Sequence, residues 1–115
     1  MISTVSGELS EDISFKDILE ALFPMGSMTG APKIEVMKHI DRLENFNREL
    51  YSGCIGYFYR KDFDFNVVIR SLEYHKGILK YAVGGAITID SQATEELEEC
   101  VTKASSIRGL FKETN

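Results

Sequence analysis

Cysteine, proline and histidine are scarce in this sequence, at two residues each among 115. Cys54 and Cys100 lie far apart, with no Cys-x-x-Cys spacing, and neither has a histidine pair nearby. His39 falls in a helical pattern and His75 at a turn, each without a metal-ligand partner in sequence. These spacings argue against a disulfide framework and against a Cys/His metal centre, and they fit buried thiols of a cytosolic protein. Clustered lysine and arginine are missing too, and the net charge is −5, so a nucleic-acid partner is not expected. The charges are mixed rather than blocked, which argues against a membrane surface. No apolar run approaches the roughly 18 residues of a membrane span. Met1-Ile2-Ser3-Thr4 has neither a charged n-region nor an apolar h-region. The expectation is a cytoplasmic protein without a secretory signal. At 43% hydrophobic content, 115 residues support one domain at most, with a modest core.

Both prolines fall in one stretch, Phe23-Pro24-Met25-Gly26-Ser27-Met28-Thr29-Gly30-Ala31-Pro32-Lys33, which runs directly into a helical pattern. Pro32, with φ preset and no N–H, suits a first helical turn. Thr29 is expected as the N-cap of that helix. Gly26 and Gly30 admit a close backbone approach, and an anion there would meet free amides, the helix dipole and Lys33. The same residues also suit an ordinary loop and helix cap. A P-loop is excluded, because Ala31-Pro32 separates Gly30 from Lys33 and Ile34 follows the lysine.

Along the chain, Met1–Val5 reads as a short N-terminal strand. Ser14 is expected to cap a helix running to about Leu22, with Phe15, Ile18, Leu19 and Leu22 on one face. A second helix is predicted from about Pro32 to Glu44, burying Val36, Met37, Ile40 and Leu43, and Asn45-Phe46-Asn47 stops it. From Tyr51 the period becomes two. Strands are predicted over residues 51–59, 65–74 and 78–89, joined by a polar turn at residues 60–64 and a hairpin at His75-Lys76-Gly77. Short connections make them an antiparallel meander. Gly53 and Gly56 in the first strand point to something passing close to its backbone. Asp90-Ser91 is expected to cap the last helix, from Gln92 to about Phe111. The fold class is α+β: an antiparallel sheet (three-stranded meander plus the N-terminal strand) packed with three helices.

On the last helix, Glu96, Glu99 and Lys103 share an arc of about 60°, beside an apolar stripe of Leu97, Cys100, Ala104, Ile107 and Phe111. Two readings stand side by side. One is a Glu99–Lys103 surface ion pair worth a few tenths of about 1 kcal/mol. The other is a pair of hard oxygen ligands for Mg²⁺ with a lysine between them. Arg70, amid a predicted strand, either snorkels to solvent or grips a carboxylate in a bidentate fork. Gly84-Gly85-Ala86 forms either a β-bulge or a set of backbone amides near an anion.

The string Phe-Pro-x-Gly-Ser-x-Thr-Gly-Ala-Pro-Lys resembles the signature of chorismate-utilising enzymes, the anthranilate synthase large subunits and aminodeoxychorismate synthase component I. Further segments resemble that family in its own order: Gly53-Cys54-Ile55-Gly56-Tyr57, Ile69-Arg70-Ser71, Gly84-Gly85-Ala86, and Asp90-Ser91 followed by Glu96, Glu99 and Lys103. The resemblance runs from Met1 to about Phe111. It implies the C-terminal part of a larger catalytic domain, whose upstream part supplies further glutamates, a Gly-Thr loop and a nucleophilic lysine. It implies that Arg70 and Tyr51 bind a chorismate carboxylate and that amides of Gly84, Gly85 and Ala86 hold a substrate oxygen. Ser27, Thr29 and Lys33 would serve the substrate from the signature loop, and Ala86 departs from the glycine usual there. Glu99 would ligate Mg²⁺, Glu96 would be a ligand or close to it, and Lys103 would complete the catalytic set. A glutamine amidotransferase subunit would supply ammonia. Ser27 and Thr29 lean toward the aminodeoxychorismate branch, with anthranilate synthase as the alternative. A non-catalytic module that binds anions or a partner chain is the reading from a different class.

Overall fold

The Ser14 hydroxyl and the Asp17 carboxylate start the first helix, and they do so reciprocally. In the computed structural model of the chain, which describes residues 3–111, α1 spans Phe15–Leu22. Asp17 N–H donates to Ser14 Oγ at 3.2 Å, and Ser14 N–H donates to Asp17 Oδ2 at 3.0 Å, a capping box that satisfies two orphan donors. A single helical turn follows, α2 (Gly26–Thr29), and Gly30 ends it at φ 127°. That conformation and the Val36 side chain, which a Cβ would meet at 3.0 Å, both require glycine there.

α3 spans Lys33–Leu43 and begins at Pro32 without a side-chain cap. The expectation that Thr29 caps it is therefore corrected. The Thr29 hydroxyl donates backwards to the Met25 carbonyl at 3.2 Å, closing α2 instead. Val36, Met37 and Ile40 are half-buried as expected, but Leu43 is 77% exposed.

β1 (Cys54–Tyr59) and β2 (Asp62–Val67) form an antiparallel hairpin, in register from Cys54 opposite Val67 to Tyr59 opposite Asp62. Arg60, at φ 59°, and Lys61 turn the chain. Gly56 faces Phe65, and a Cβ there would overlap the backbone of β2, so the close neighbour anticipated from sequence is the partner strand. The space that Gly56 leaves is filled by an aromatic cluster. Phe15 of α1 sits 4.8, 5.0 and 5.6 Å, ring to ring, from Phe58, Phe63 and Phe65. Beyond the hairpin's open end the ladder continues, with Ser52 N–H donating to Val68 O at 2.9 Å and Val68 N–H to Gly53 O at 3.0 Å. Val68 and Ser52 are the best-buried side chains of the chain's described part, at 5% and 4% exposure.

β3 (Leu72–His75) and β4 (Ile78–Tyr81) make a second hairpin, turned at Lys76-Gly77 with both residues at positive φ. Among the described residues no ladder joins it to the first. The expected three-stranded meander is thus two two-stranded sheets, and the α+β class stands. The strand predicted over residues 65–74 breaks between Val68 and Ser71, where Arg70 adopts φ 49°. The strand predicted over residues 78–89 pairs only as far as Tyr81. Of the predicted N-terminal strand, Met1 and Ile2 lie outside the described residues, and residues 3–5 carry no strand.

The last helix, α4 (Ala93–Arg108), continues into a 3₁₀ turn at Gly109–Phe111. Its N-cap is Gln92, with no side-chain cap bond, so the expected Asp90-Ser91 cap is also corrected. Ser91 has a different task, set by the geometry that follows. No helix among the described residues is long and apolar enough to cross a membrane.

Candidate functional site

The non-strand segment after β4 crosses α4, and there the structure brings together most of the chemistry singled out from sequence. Lys103, reaching from the middle of α4, donates to the Gly84 carbonyl at 2.9 Å. The same ammonium stands 2.6 Å from Glu99 Oε1, one helical turn earlier. The Glu99 hydrogen bond holds the Lys103 ammonium above its usual range, against the opposing effect of desolvation, and the neighbouring charges add to the rise. Tyr51 approaches the same segment from the loop before β1. A Cβ on Gly84 would lie 2.9 Å from the Tyr51 hydroxyl.

One residue further, Gly85 covers the two glutamates. A Cβ on Gly85 would lie 2.7 Å from Glu96 Oε2 and 3.8 Å from Glu99 Oε2. The carboxylates therefore converge on one spot of backbone that only a glycine leaves open. Glu96 Oε1 accepts the Ser91 hydroxyl at 2.6 Å. Glu96 Oε2 is buried and has no hydrogen-bond partner among the described residues. A buried carboxylate oxygen left unpaired is costly unless something outside the chain pairs with it.

That orphaned oxygen decides how well Mg²⁺ fits. Two carboxylates of neighbouring helical turns with one open oxygen suit a hard cation approached from one side. Among the described residues no third His, Cys, Asp or Glu joins them in a metal-holding cluster. Glu96 and Glu99 therefore offer two carboxylates and one open oxygen, fewer donors than a hard cation takes.

Tyr51 is held from behind. Arg48 forks the Glu44 carboxylate, with Nε to Oε2 at 2.8 Å and Nη2 to Oε1 at 2.5 Å, and donates from Nη1 to Ser52 Oγ at 3.2 Å. The Glu44 hydrogen bonds raise the Arg48 pKa, and its guanidinium lies 5.7 Å from the Tyr51 ring centre. The loop carrying Tyr51 is therefore fixed by a half-buried bidentate pair.

The remaining residues singled out from sequence lie elsewhere. Arg70 is exposed in the break between β2 and β3, and no hydrogen bond among the described residues links it to the Glu96–Lys103 group. Ala86 is exposed in the segment past Gly85. Ser27 is exposed on α2, while Thr29 is spent on Met25. Lys33 Nζ donates to the carbonyls of Ala21 and Leu22 at 3.2 and 3.4 Å, closing the C-terminus of α1. A cleft of about 620 Å³ opens between α3 and the Glu44–Ser52 loop. It includes Thr29, Arg48 and Ser52 but none of the three α4 residues. Ser91 is the residue sequence reasoning undervalued; its signal was a hydroxyl five positions before the first of the paired glutamates.

The sequence matches the profile of the chorismate binding enzyme family over residues 1–109. The chain is 44% identical over 114 residues to a probable chloroplastic aminodeoxychorismate synthase of Oryza sativa subsp. japonica, covering 98% of this chain and 13% of that protein. It is 46% identical over 112 residues to an aminodeoxychorismate synthase of Streptomyces griseus, covering 96% of this chain and 16% of that one. An anthranilate synthase component 1 of Mycolicibacterium smegmatis is 36% identical over 108 residues, covering 93% and 21%. The chain thus spans under a quarter of the length of each.

Proposed function

The chain belongs to the chorismate binding enzyme family, and from that footing we propose that it forms part of an aminodeoxychorismate synthase. The reaction is amination of chorismate at C4 to 4-amino-4-deoxychorismate, using ammonia delivered by a glutamine amidotransferase subunit. Relatives named for this activity share 38–46% identity with the chain, and relatives named anthranilate synthase component 1 share 36–38%. The observation that carries the site assignment is the buried, unpaired Glu96 oxygen beneath Gly85.

Glu96 and Glu99 would hold Mg²⁺ from the α4 side, together with ligands from the rest of the protein. Held by these two carboxylates, the ion would supply Lewis-acid withdrawal of charge from the substrate's ring carboxylate, which would ease departure of the C4 hydroxyl. Lys103 pairs with Glu99 and anchors the Gly84 carbonyl, so the amides of Gly84, Gly85 and Ala86 stay at a fixed height above the carboxylates. Tyr51, braced by Arg48, presents its hydroxyl beside Gly84 as a donor to a substrate carboxylate. Arg70 would supply a second grip, its exposed position leaving the guanidinium free to reach an anion. Ser27 would add a hydroxyl from the signature loop. Lys33 serves the substrate only indirectly, by tying that loop to α1.

Product analysis of the full-length protein with chorismate, ammonia and Mg²⁺ tests the reading. The expected product is aminodeoxychorismate; anthranilate with pyruvate would move the chain to the anthranilate branch, the activity for which the Mycolicibacterium relative is named. Glu99→Gln is expected to abolish turnover and leave the fold intact, because an amide oxygen cannot replace a charged ligand. Near-normal turnover would return Glu99 to a surface ion pair, which contributes under about 1 kcal/mol.

A further inference from the structure

Ser91 stands outside every role assigned so far, yet it is the only hydrogen-bond partner of the Glu96 carboxylate among the described residues. It sits in a turn closed by Ser91 N–H donating to the Thr88 carbonyl at 3.2 Å. The Thr88 N–H in turn donates to Ser91 Oγ at 3.0 Å. That bond occupies a lone pair of the hydroxyl and leaves its single proton directed to Glu96 Oε1, 2.6 Å away. A glutamate side chain has three rotatable bonds, and no other hydrogen bond among the described residues holds this carboxylate. With Oε1 engaged by Ser91, Oε2 is turned beneath Gly85, beside Glu99 Oε2.

We infer that Ser91 is a positioning residue for the cation site: through the Thr88–Ser91 turn it locks Glu96 so that one oxygen alone, Oε2, is offered to the metal. This rests on the reading of Glu96 and Glu99 as Mg²⁺ ligands. Groups hydrogen-bonded to a ligating carboxylate in this way typically affect metal affinity by about 10- to 100-fold.

The test measures Mn²⁺ binding to the full-length protein from the electron paramagnetic resonance signal of the free ion, without reference to turnover. Ser91→Ala is expected to weaken binding by about 10- to 100-fold, and Ser91→Thr, which keeps the hydroxyl, to recover most of it. In a Glu96→Gln background, Ser91→Ala is expected to have no further effect. Ser91→Cys, similar in shape but a weak donor, reads the same loss if the alanine variant does not fold. Unchanged binding in Ser91→Ala, with binding lost in Glu96→Gln, overturns the role of Ser91 and leaves the metal site standing. Unchanged binding in Glu96→Gln overturns both. A loss in Ser91→Ala that persists in the Glu96→Gln background shows that Ser91 acts through the turn, and overturns the inference as well.

Discussion

Lys103 joins Glu99 to the backbone of Gly84, with its ammonium 2.6 Å from Glu99 Oε1 and 2.9 Å from the Gly84 carbonyl. The residues are a helical turn and a whole hairpin-to-helix connection apart in the chain. One cation therefore holds both a candidate ligand and the glycine segment above it.

Removing that cation should loosen the segment before it affects the fold. In Lys103→Met of the full-length protein, amide exchange over residues 82–87 is expected to accelerate, with turnover falling by about two orders of magnitude, the size expected for misplacement of about 1 Å. The pH dependence has a definite sign. The folded pKa of Lys103 is raised above 10.5, so the tie is fully present below that value and is lost only as pH rises through the folded pKa. Lys103 Cε chemical shifts should stay flat across neutral pH. A titration of Lys103 near neutrality would remove its role as a clamp.

Gly84→Ala places a methyl 2.9 Å from the Tyr51 hydroxyl. Overpacking of this kind costs about 1–3 kcal/mol, and denaturant unfolding should show it. The atom in the way is a single oxygen, so Tyr51→Phe in the same chain should recover most of the loss. If the double variant is no more stable than Gly84→Ala alone, Tyr51 does not press on this segment.

These relationships were only partly visible in the sequence. Helices α1, α3 and α4 were readable because apolar residues at 3.6-residue spacing and the Ser14 cap act locally. The pairing of β1 with β2 was readable from alternation across a short turn. The break at Arg70 was not, because no glycine or proline punctuates Val68–Ser71 and a positive φ at arginine has no compositional signal. Thr29 was read as an N-cap and Lys33 as loop chemistry facing a ligand, whereas Thr29 bonds back to Met25 within its own turn and Lys33 reaches the carbonyls that end α1. Residues 82–89 alternate like a strand but are held by Lys103 of α4, a contact of 19 positions' separation that no local pattern encodes. The paired glutamates were legible from helical spacing, but the orphaned Glu96 oxygen required coordinates.

Acid should fray α1 before other elements. The Ser14 hydroxyl, then the Ser14 amide, lower the pKa of Asp17 below 3.8. A depressed carboxylate stabilises the fold above its unfolded pKa, and that contribution is lost as pH falls through the folded value. Helix signals of residues 15–18 should therefore weaken below about pH 4. Ser14→Ala should bring the Asp17 titration back toward 3.8. An unchanged Asp17 midpoint in that variant would contradict the capping box.

The 115 residues, expressed by themselves, should not persist as a quiet monomer. Val68 is the one buried hydrophobic side chain among the described residues, while Leu43, Tyr57, Tyr74, Ile87 and Leu97 are 62–77% exposed. Leu97 and Val101 lie one turn apart on α4, and Ile55, Tyr57 and Tyr59 line the outward face of β1. Soluble monomers rarely leave apolar surface of this extent open to water, and both hairpins present unpaired edges among the described residues. Copies of the same chain, or further sequence of the length its relatives carry, would bury these faces. Light scattering at rising concentration should give masses well above 13.0 kDa, with strong binding of a hydrophobic dye. Co-expression with the rest of the full-length protein should suppress that binding. A sharp, dye-free monomer that also turns over chorismate with Mg²⁺ would mean that these apolar faces are tolerated in water and that the two α4 glutamates suffice as ligands.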